Sequence, residues 1–402
     1  MYNKVFKIEK LDHFGRGIVK TDNKIVFVED TIIGDEVFIK IIKDKKKYSE
    51  GKVISFNKKS PYRREFCKYS SICGGCNISD MEYKYQLGYK EQKIKEIVSK
   101  YIKENININP IIFNNEKNYR NKIRLHVKGN KLGLYEKNTN KLIEIDTCKL
   151  VDEKINSFIK RLKSFIRENT HSLKEIIIKN TSLDEVMLVF VGDVLEELVL
   201  KTFSDVDSIF INDKCLNKKY ITEKLEDYKF LISKDSFFQV NSYNTINLYN
   251  EVIKMIGNNR YNKALDLYCG TGTIGIFVSE YAKKVVGIEV VKDAVDSANV
   301  NKKINNIKNI TFINGKVEDN INNFLDVDLV IVDPPRSGLD KKTINSLLKI
   351  KANKIIYVSC DPMTLARDLN VLKQLYNIDE ITPVDMFPNT YHVECVCSLS
   401  LK

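Results

Sequence analysis

The feature that most constrains the fold is a glycine-rich segment between two apolar stretches. Residues 263–289 read KALDLYCGTGTIGIFVSEYAKKVVGIE, which predicts a strand, a tight turn, a helix and a second strand ending in Glu289. Glycines allow close backbone approach to a ligand, and an acid about 20 residues later can hold ribose hydroxyls. The segment lacks the GK[ST] ending of a phosphate-binding loop, which favours a nucleoside without a phosphate tail. S-adenosylmethionine is such a ligand, with NAD or a turn without ligand as alternatives.

A cysteine stands where a later predicted strand passes into a helix. Residues 355–369 read IIYVSCDPMTLARDL, in which Asp361 can cap the helix and Pro362 fits its first position. The positive end of the helix dipole is expected to lower the pKa of Cys360 and to favour the nucleophilic thiolate. The alternative is a buried cysteine that only ends a core strand.

Two acids are predicted near the same cleft. The strand DLVIVD ends at Asp333, at the edge where open α/β sheets bind ligands. Arg336 follows the two prolines, where an aromatic residue would be typical of enzymes that methylate exocyclic amines. Near the C-terminus, HVECVCSLSLK alternates like a strand and places Glu394 on one face. By spacing alone, Glu394 could be a solvated residue at the edge of a sheet.

Together these segments resemble the RNA 5-methyluridine methyltransferase family, the uracil-C5 enzymes that use S-adenosylmethionine. The resemblance runs nearly end to end and is carried by five ordered motifs: SFFQVN at 236–241, LDLYCGTGTIG at 265–275, VDPPRSGL at 332–339, VSCDP at 358–362 and HVECV at 392–396. It implies that Cys360 is the nucleophile and Glu394 the base. The resemblance also implies a set of cofactor contacts, namely Gln239, Tyr268, Glu289 and Asp333.

The substrate side of the site is less sharply defined by the motifs. Phe237, in SFFQVN, is the expected aromatic surface for an extruded base, with ordinary core packing as the alternative. Gln239 can present its amide to the base or to the cofactor. Thr273 and Lys316 stand where some relatives have asparagines, so their contacts with the cofactor stay open.

Four of the nine cysteines suggest a metal site. Cys67, Cys73 and Cys76 form C-x5-C-x2-C, and Cys148 is a plausible fourth ligand. The chain start lacks the apolar core of a secretory signal, so a cytoplasmic protein with few disulfides is expected. Zinc sites tend to pair two C-x2-C motifs, and a second one is missing. The resembling rRNA-modifying enzymes carry a [4Fe–4S] cluster on this pattern, which implies these four ligands. Zinc and reduced structural thiols are the alternatives.

The charge distribution points to RNA as the partner. The chain has 65 Lys and Arg against 53 Asp and Glu, a formal net charge of +12, although an AT-rich genome could account for part of this. Residues 40–68 hold eleven basic and three acidic side chains with interleaved aromatics. Cations with aromatics suit RNA better than a membrane surface. The alternative is a solvated strand edge.

The pattern of strands and helices divides the chain into three parts. Residues 1–58 read as short alternating strands and resemble a TRAM domain, an RNA-binding β-barrel of the oligonucleotide-binding type. Residues 59–228 hold the cysteine segment and a predicted α+β domain. Residues 229–402 alternate strands and helices, which predicts an α/β fold with a doubly wound, Rossmann-like methyltransferase domain.

The barrel and the cysteines favour 23S ribosomal RNA as the substrate, because the resembling tRNA enzymes commonly lack both. A tRNA uracil-C5 methyltransferase is the alternative within the class. A non-catalytic RNA-binding scaffold and an RNA 5-methylcytosine enzyme are the alternatives outside it. The latter would be expected to place a cysteine after the proline where residues 333–335 read DPP.

Overall fold

The computed structural model describes residues 4–21 and 24–402, and it begins with a six-stranded sheet. The strands are β1 (Phe6–Lys7), β2 (Lys10–Leu11), β3 (Gly17–Lys20), β4 (Ile25–Val28), β5 (Glu36–Asp44) and β6 (Tyr48–Lys58). Their order is β1-β5-β6-β4-β3-β2. Alternate residues of β3 to β5 are buried, and these apolar side chains form one small core. Residues 1–3 and 22–23 of the predicted barrel lie outside the described residues.

The middle of the chain forms a helix-covered sheet and a hairpin. Its elements are α1 (Tyr83–Ile102), β7 (Asn107–Ile108), β8 (Lys122–Lys128), β9 (Lys131–Tyr135), β10 (Leu142–Glu144), α2 (Glu153–Glu168), β11 (Ser172–Asn180), β12 (Val186–Asp193), α3 (Glu196–Thr202), β13 (Ser208–Ile211), β14 (Lys214–Cys215), β15 (Ile221–Leu225) and β16 (Tyr228–Ile232). Seven strands pair in the order β10-β9-β8-β11-β12-β13-β14, and β15 pairs with β16. The apolar face of α2 packs against this sheet.

The C-terminal part is an eight-stranded sheet between helices. Its elements are α4 (Ser242–Ile256), β17 (Tyr261–Leu267), α5 (Thr273–Val278), β18 (Ala282–Glu289), α6 (Lys292–Ile304), β19 (Ile310–Asn314), α7 (Val317–Asn320), a 3₁₀ turn (Ile321–Asn323), β20 (Leu329–Val332), α8 (Lys341–Ile350), β21 (Lys354–Ser359), α9 (Pro362–Leu372), β22 (Tyr376–Val384) and β23 (Glu394–Leu401). The strand order is β19-β18-β17-β20-β21-β23-β22-β7. The predicted α/β class with a Rossmann-like domain is confirmed.

The topology of this sheet places the candidate site. Strands β17 to β21 run parallel, and the chain order reverses between β17 and β20, where open α/β sheets bind ligands. Strand β23 runs antiparallel between β21 and β22. Its first residue therefore lies at the edge where the parallel strands end.

The helix α1 and the strand β7 pack on the C-terminal sheet, although they precede the middle sheet in sequence. Leu87, Ile94 and Val98 of α1 share a core with residues of α9, and β7 pairs with β22. The predicted boundary at residue 228 falls at the first residue of β16, so it would cut the hairpin. The division into three domains stays a prediction.

A buried ion pair fixes α1 to the end of β22. Lys90 and Asp385 are both fully buried, and the Lys90 Nζ lies 2.5 Å from Oδ1 of Asp385. Oδ2 of Asp385 accepts a hydrogen bond of 2.9 Å from the Tyr83 hydroxyl.

Within residues 4–21 and 24–402, no helix has the length and apolar character needed to cross a membrane.

Replacing Lys90 with Met should lower the free energy of unfolding by about 3–5 kcal/mol, because it leaves the carboxylate of Asp385 buried without its counter-ion. Urea denaturation followed by circular dichroism measures this change. The double variant Lys90→Met, Asp385→Asn should recover part of the loss. An unchanged stability of the single variant would show that the pair does not anchor α1.

Candidate active site

The glycine loop after β17 has the backbone shape that the sequence predicts. Gly270 and Gly272 have φ of +53° and +78°, a conformation that glycine adopts without strain. A Cβ at Gly272 would also lie 2.5 Å from the ring of Phe312. Glu289, at the end of β18, accepts a hydrogen bond of 3.1 Å from the Gly270 amide through Oε2 and one of 2.8 Å from the Val291 amide through Oε1. The loop and the predicted ribose-binding acid therefore hold each other in place.

Tyr268 enters the loop in a strained conformation. Its φ is +62°, which is rare for a bulky side chain and is typical of positions constrained by function. Burial raises the pKa of its hydroxyl, which lies 3.4 Å from Oγ1 of Thr343, to about 12. The hydroxyl of Thr273 accepts a hydrogen bond of 2.8 Å from Tyr249, and Lys316 immediately precedes α7.

The SFFQVN segment exposes one phenylalanine and buries part of the next. Phe237 is 72% exposed, so the core-packing alternative does not apply, whereas the ring of Phe238 packs 6.0 Å from that of Phe230. Lys179 is buried, and its Nζ donates to the carbonyl oxygens of Ser233 (2.8 Å) and of the following lysine (2.9 Å). These two hydrogen bonds fix the turn that precedes Phe237.

The end of the same segment is held by two asparagines. The side-chain amide of Asn121 donates to the backbone oxygen of Gln239 over 3.1 Å. Asn241 is fully buried and caps α4 by accepting a hydrogen bond from the Asn244 amide. The segment is an ordered loop at the start of α4 and not a strand.

Cys360 occupies the predicted junction of strand and helix. It follows β21, and the carboxylate of Asp361 accepts hydrogen bonds from the amides of Met363 (2.8 Å) and Thr364 (3.2 Å). Pro362 is the first residue of α9. The predicted lowering of the thiol pKa is wrong, because burial and nearby carboxylates raise the pKa of Cys360 to about 12.

The register of the sheet brings Cys360 and Glu394 to facing positions. Ser359 of β21 pairs with Cys395 of β23. In antiparallel strands the next residue of one faces the previous residue of the other, so Cys360 faces Glu394. Glu394 also contributes to the raised pKa of the Cys360 thiol.

Three carboxyl groups are concentrated at this edge. Glu394 is only 4% exposed, so it is not a solvated edge residue. Burial raises its pKa to about 8, with a further contribution from Asp333. Burial likewise raises the pKa of Asp333 to about 7 and that of Asp266 to about 8. Asp266 is fully buried beside Gly275, whose backbone amide opposes part of the effect of burial on its pKa.

Sequence reasoning did not assign roles to three residues of this region. Asp266 lies within the LDLYCG motif, which was the available signal. Arg336 lowers the pKa of both Cys360 and Glu394, and its position directly after the two prolines could have indicated a charge directed at this cleft. His392, in HVECV, has its pKa lowered to about 4 by burial and then by Arg336, so it is neutral at pH 7.

The four predicted metal-ligating cysteines lie in one region, away from the motifs above. Burial raises the pKa of Cys73, Cys76 and Cys148. Cys67 raises the pKa of each of these three thiols further. The backbone of Cys73 forms an isolated antiparallel β-bridge with Glu136, directly after β9. In the described part of the chain, no three His, Cys, Asp or Glu side chains are arranged closely enough to hold a metal ion.

The basic segment 40–68 has two different environments. Its lysines on β5, β6 and the turn between them are exposed. Its arginines form ion pairs within the protein: Arg63 pairs with Asp35 (2.5 Å), and Arg64 binds both carboxylate oxygens of Glu116 (2.8 and 2.7 Å). A cavity of about 740 Å³ lies beside them, and its lining includes further lysines at positions 59, 68 and 149.

Comparison with known proteins places the chain in a family. Residues 208–402 match the family described as tRNA (Uracil-5-)-methyltransferase, and residues 6–54 match the TRAM domain. An uncharacterized RNA methyltransferase of Clostridium tetani is 35% identical over 95% of this chain and 93% of its own length. A second, from Clostridium acetobutylicum, is 36% identical over 97% of this chain and 95% of its own length.

A solved structure extends the similarity to the whole fold. The tRNA (uracil-54, C5)-methyltransferase of Pyrococcus abyssi, in complex with S-adenosyl-L-homocysteine, is 30% identical and has a TM-score of 0.83. The match covers 98% of this chain and 99% of that one. The chain therefore belongs to the RNA uracil-C5 methyltransferases, which transfer a methyl group from S-adenosylmethionine.

Proposed function

We propose that this enzyme methylates carbon 5 of a uridine in 23S ribosomal RNA, with Cys360 as nucleophile and Glu394 as base. The observation that carries the catalytic assignment is the pairing of Ser359 with Cys395, which places Cys360, directly after β21, beside Glu394, the first residue of β23. This reaction needs a thiol and a buried carboxyl group. The strand pairing places both groups at the same edge of the sheet.

Carbon 5 of uracil attacks a methyl donor only after it is activated. The Cys360 thiolate forms a bond to carbon 6, and the electrons of the C5–C6 double bond move to an enolate, which makes carbon 5 nucleophilic. Because the pKa of the thiol is about 12 in the free protein, positive charge must assist its ionisation. Arg336 already lowers this pKa from within the chain, and a cationic cofactor would lower it further.

Glu394 completes the reaction after carbon 5 has accepted the methyl group. Its carboxylate takes the proton from carbon 5, the electrons re-form the C5–C6 double bond, and the bond to the Cys360 sulfur breaks. The pKa of about 8 makes this carboxylate a stronger base than an exposed glutamate. His392, whose pKa is lowered to about 4, is a weaker base than Glu394.

The predicted cofactor residues fit S-adenosylmethionine. The positive φ angles of Gly270 and Gly272 open a backbone cradle beside Glu289, which suits a ribose. The buried carboxyl groups of Asp333 and Asp266 suit a cationic ligand. S-adenosylmethionine supplies the methyl group from a positively charged sulfonium. We assign its contacts to Gln239, Tyr268, Glu289 and Asp333, and we assign the extruded base to exposed Phe237.

The choice of RNA depends on the surface outside the methyltransferase domain. Exposed lysines on β5 and β6 can neutralise phosphates of a large folded RNA. The barrel itself does not separate the substrates, because the Pyrococcus abyssi tRNA enzyme matches 98% of this chain. This near-complete match makes a tRNA uridine the second candidate substrate.

We also propose that Cys67, Cys73, Cys76 and Cys148 hold a [4Fe–4S] cluster, which would fix the cysteine loop to the middle sheet. Each cysteine of such a cluster binds its own iron, so the sulfurs stay farther apart than the ligands of one zinc ion. The thiols of Cys67, Cys73 and Cys148 all raise the pKa of Cys76, so the four side chains lie in one neighbourhood. The amide of Gly75 donates to the Cys73 sulfur over 3.4 Å, as suits a thiolate ligand.

Glu394→Gln should leave the enzyme covalently joined to RNA through Cys360, because the methylated adduct cannot lose its proton from carbon 5. A denaturing gel with labelled RNA should show the shifted band, and Cys360→Ala should show neither a band nor product. Normal turnover by the glutamine variant would remove Glu394 from the mechanism.

Affinity for S-adenosylmethionine should rise from pH 6 to pH 8. A cationic ligand favours ionised carboxylates, so binding releases protons from groups with pKa of about 7 to about 8 and becomes tighter as those groups ionise. The limit is about tenfold per pH unit for one linked proton. Titration calorimetry should show a weaker pH dependence for Asp333→Asn and for S-adenosylhomocysteine, whose sulfur is uncharged. Equal affinity at both pH values would contradict the assignment.

Deletion of the gene should remove one or more 5-methyluridines from 23S rRNA and leave the tRNA unchanged. Mass spectrometry of both purified RNAs from cells with and without the gene measures this. Complementation with the intact gene should restore the modification, and the Cys360→Ala gene should not. Loss of 5-methyluridine from tRNA alone would assign the second candidate substrate, and loss of 5-methylcytosine would contradict both.

Anaerobically purified protein should contain about four iron atoms per chain. Cys148→Ser should lower the iron content, because Cys148 is the ligand that closes the site from a remote part of the chain. Cys215→Ser is the matched control, since this partly buried cysteine lies outside the proposed set. Stoichiometric zinc without iron would overturn the cluster assignment.

A further inference from the structure

The loop between β2 and β3 carries an exposed aromatic side chain to the edge of the active site. Phe14 is 55% exposed, and its ring packs edge-on against Tyr391, with ring centroids 5.5 Å apart. Tyr391 in turn packs against His392 at 4.2 Å. Since Tyr391 is three residues before Glu394, its Cα lies within about 11 Å of that of the glutamate.

The loop is held rigidly by its own side chains. Oδ1 of Asp12 accepts hydrogen bonds from the amides of Phe14 (2.9 Å) and Arg16 (2.8 Å), and Oδ2 pairs with the Arg16 guanidinium at 2.6 Å. That guanidinium lies over the rings of Phe14 (5.4 Å) and Phe27 (4.6 Å). The exposed ring is therefore held in one orientation by a fixed cation.

The loop is also attached to the segment that carries Glu394. The buried Nζ of Lys93, on α1, donates to the carbonyl oxygens of His13 (2.9 Å) and Tyr391 (3.0 Å). The hydroxyl of Tyr89 donates to the carbonyl oxygen of Asp12 over 2.6 Å. Gly15 has φ +76°, and a Cβ there would approach Ile78 to 2.6 Å, so the chain is closely packed at this point. These contacts fix the position of Phe14 relative to the catalytic strand.

We propose that Phe14, supported by Arg16 and Tyr391, forms a stacking site for the nucleobase next to the target uridine. The inference rests on the proposed uracil-C5 chemistry at Cys360 and Glu394. Extruding a uridine breaks its stacking with its neighbours, and an aromatic face beside the site replaces the lost stacking on one side. An aromatic ring that remains exposed on a rigid loop has the chemistry to stack on a base.

The test uses RNA hairpins whose loop contains the uridine that the wild-type protein methylates. In each hairpin, the nucleotide on one side of this uridine or on the other is either intact or abasic. Phe14→Ala should weaken binding of the intact hairpin about tenfold, the effect of losing one base stack. Removing the stacked base from the RNA should weaken wild-type binding by a similar factor. The same removal should have no further effect on Phe14→Ala, because both changes delete one contact.

Phe14→Trp should retain affinity, since it keeps an aromatic face. Phe113→Ala is the matched control, because Phe113 is 53% exposed and its ring packs on Tyr83. Binding of S-adenosylhomocysteine by Phe14→Ala should equal that of the wild type, which shows that the variant is folded. Unchanged RNA affinity of Phe14→Ala would overturn the stacking site. So would losses of affinity from Phe14→Ala and from base removal that add to each other at both flanking positions. Failure of the 23S assignment would appear separately, as a wild-type enzyme that methylates only a tRNA hairpin.

Discussion

The active site depends on the pairing of one antiparallel strand, β23, within an otherwise mainly parallel sheet. Parallel strands deliver their carboxyl ends to one edge, and an antiparallel neighbour delivers its first residue to that same edge. Cys360 leaves β21 there, and Glu394 begins β23 there. A shift of one residue in this register would move Glu394 to the other face of the sheet.

This arrangement concentrates three carboxyl groups away from water. Burial raises the pKa of Asp266, Asp333 and Glu394, and burial together with Glu394 and Asp333 raises the pKa of the Cys360 thiol in the free chain. Such a cluster is costly until cations compensate it. Arg336 provides part of that compensation, and a sulfonium ligand would add to it. The buried carboxyl groups would keep the thiol protonated at rest, and the positive charge of the bound cofactor would favour its ionisation.

Sequence patterns predicted the elements that follow local rules. The glycine turn at Gly270, the capping of α9 by Asp361 and the barrel strands are set by neighbouring residues, and the structure confirms them. The pKa of Cys360 could not be predicted, because it depends on Asp333 and Glu394, which are distant in sequence. The packing of α1 on the C-terminal sheet and the bridge by Lys93 were also missed, since no local pattern shows which surface a helix will meet.

The central claim is that the sulfur of Cys360 forms the covalent bond to carbon 6 of uracil. Substrate RNA containing 5-fluorouridine tests it most directly in the unmodified enzyme, because a fluorine on carbon 5 cannot leave as a proton does and the adduct persists. Peptide mass spectrometry should find the nucleotide on the peptide that contains Cys360. An adduct on Cys269 or Cys395, or none despite methylation of normal RNA, would contradict the account.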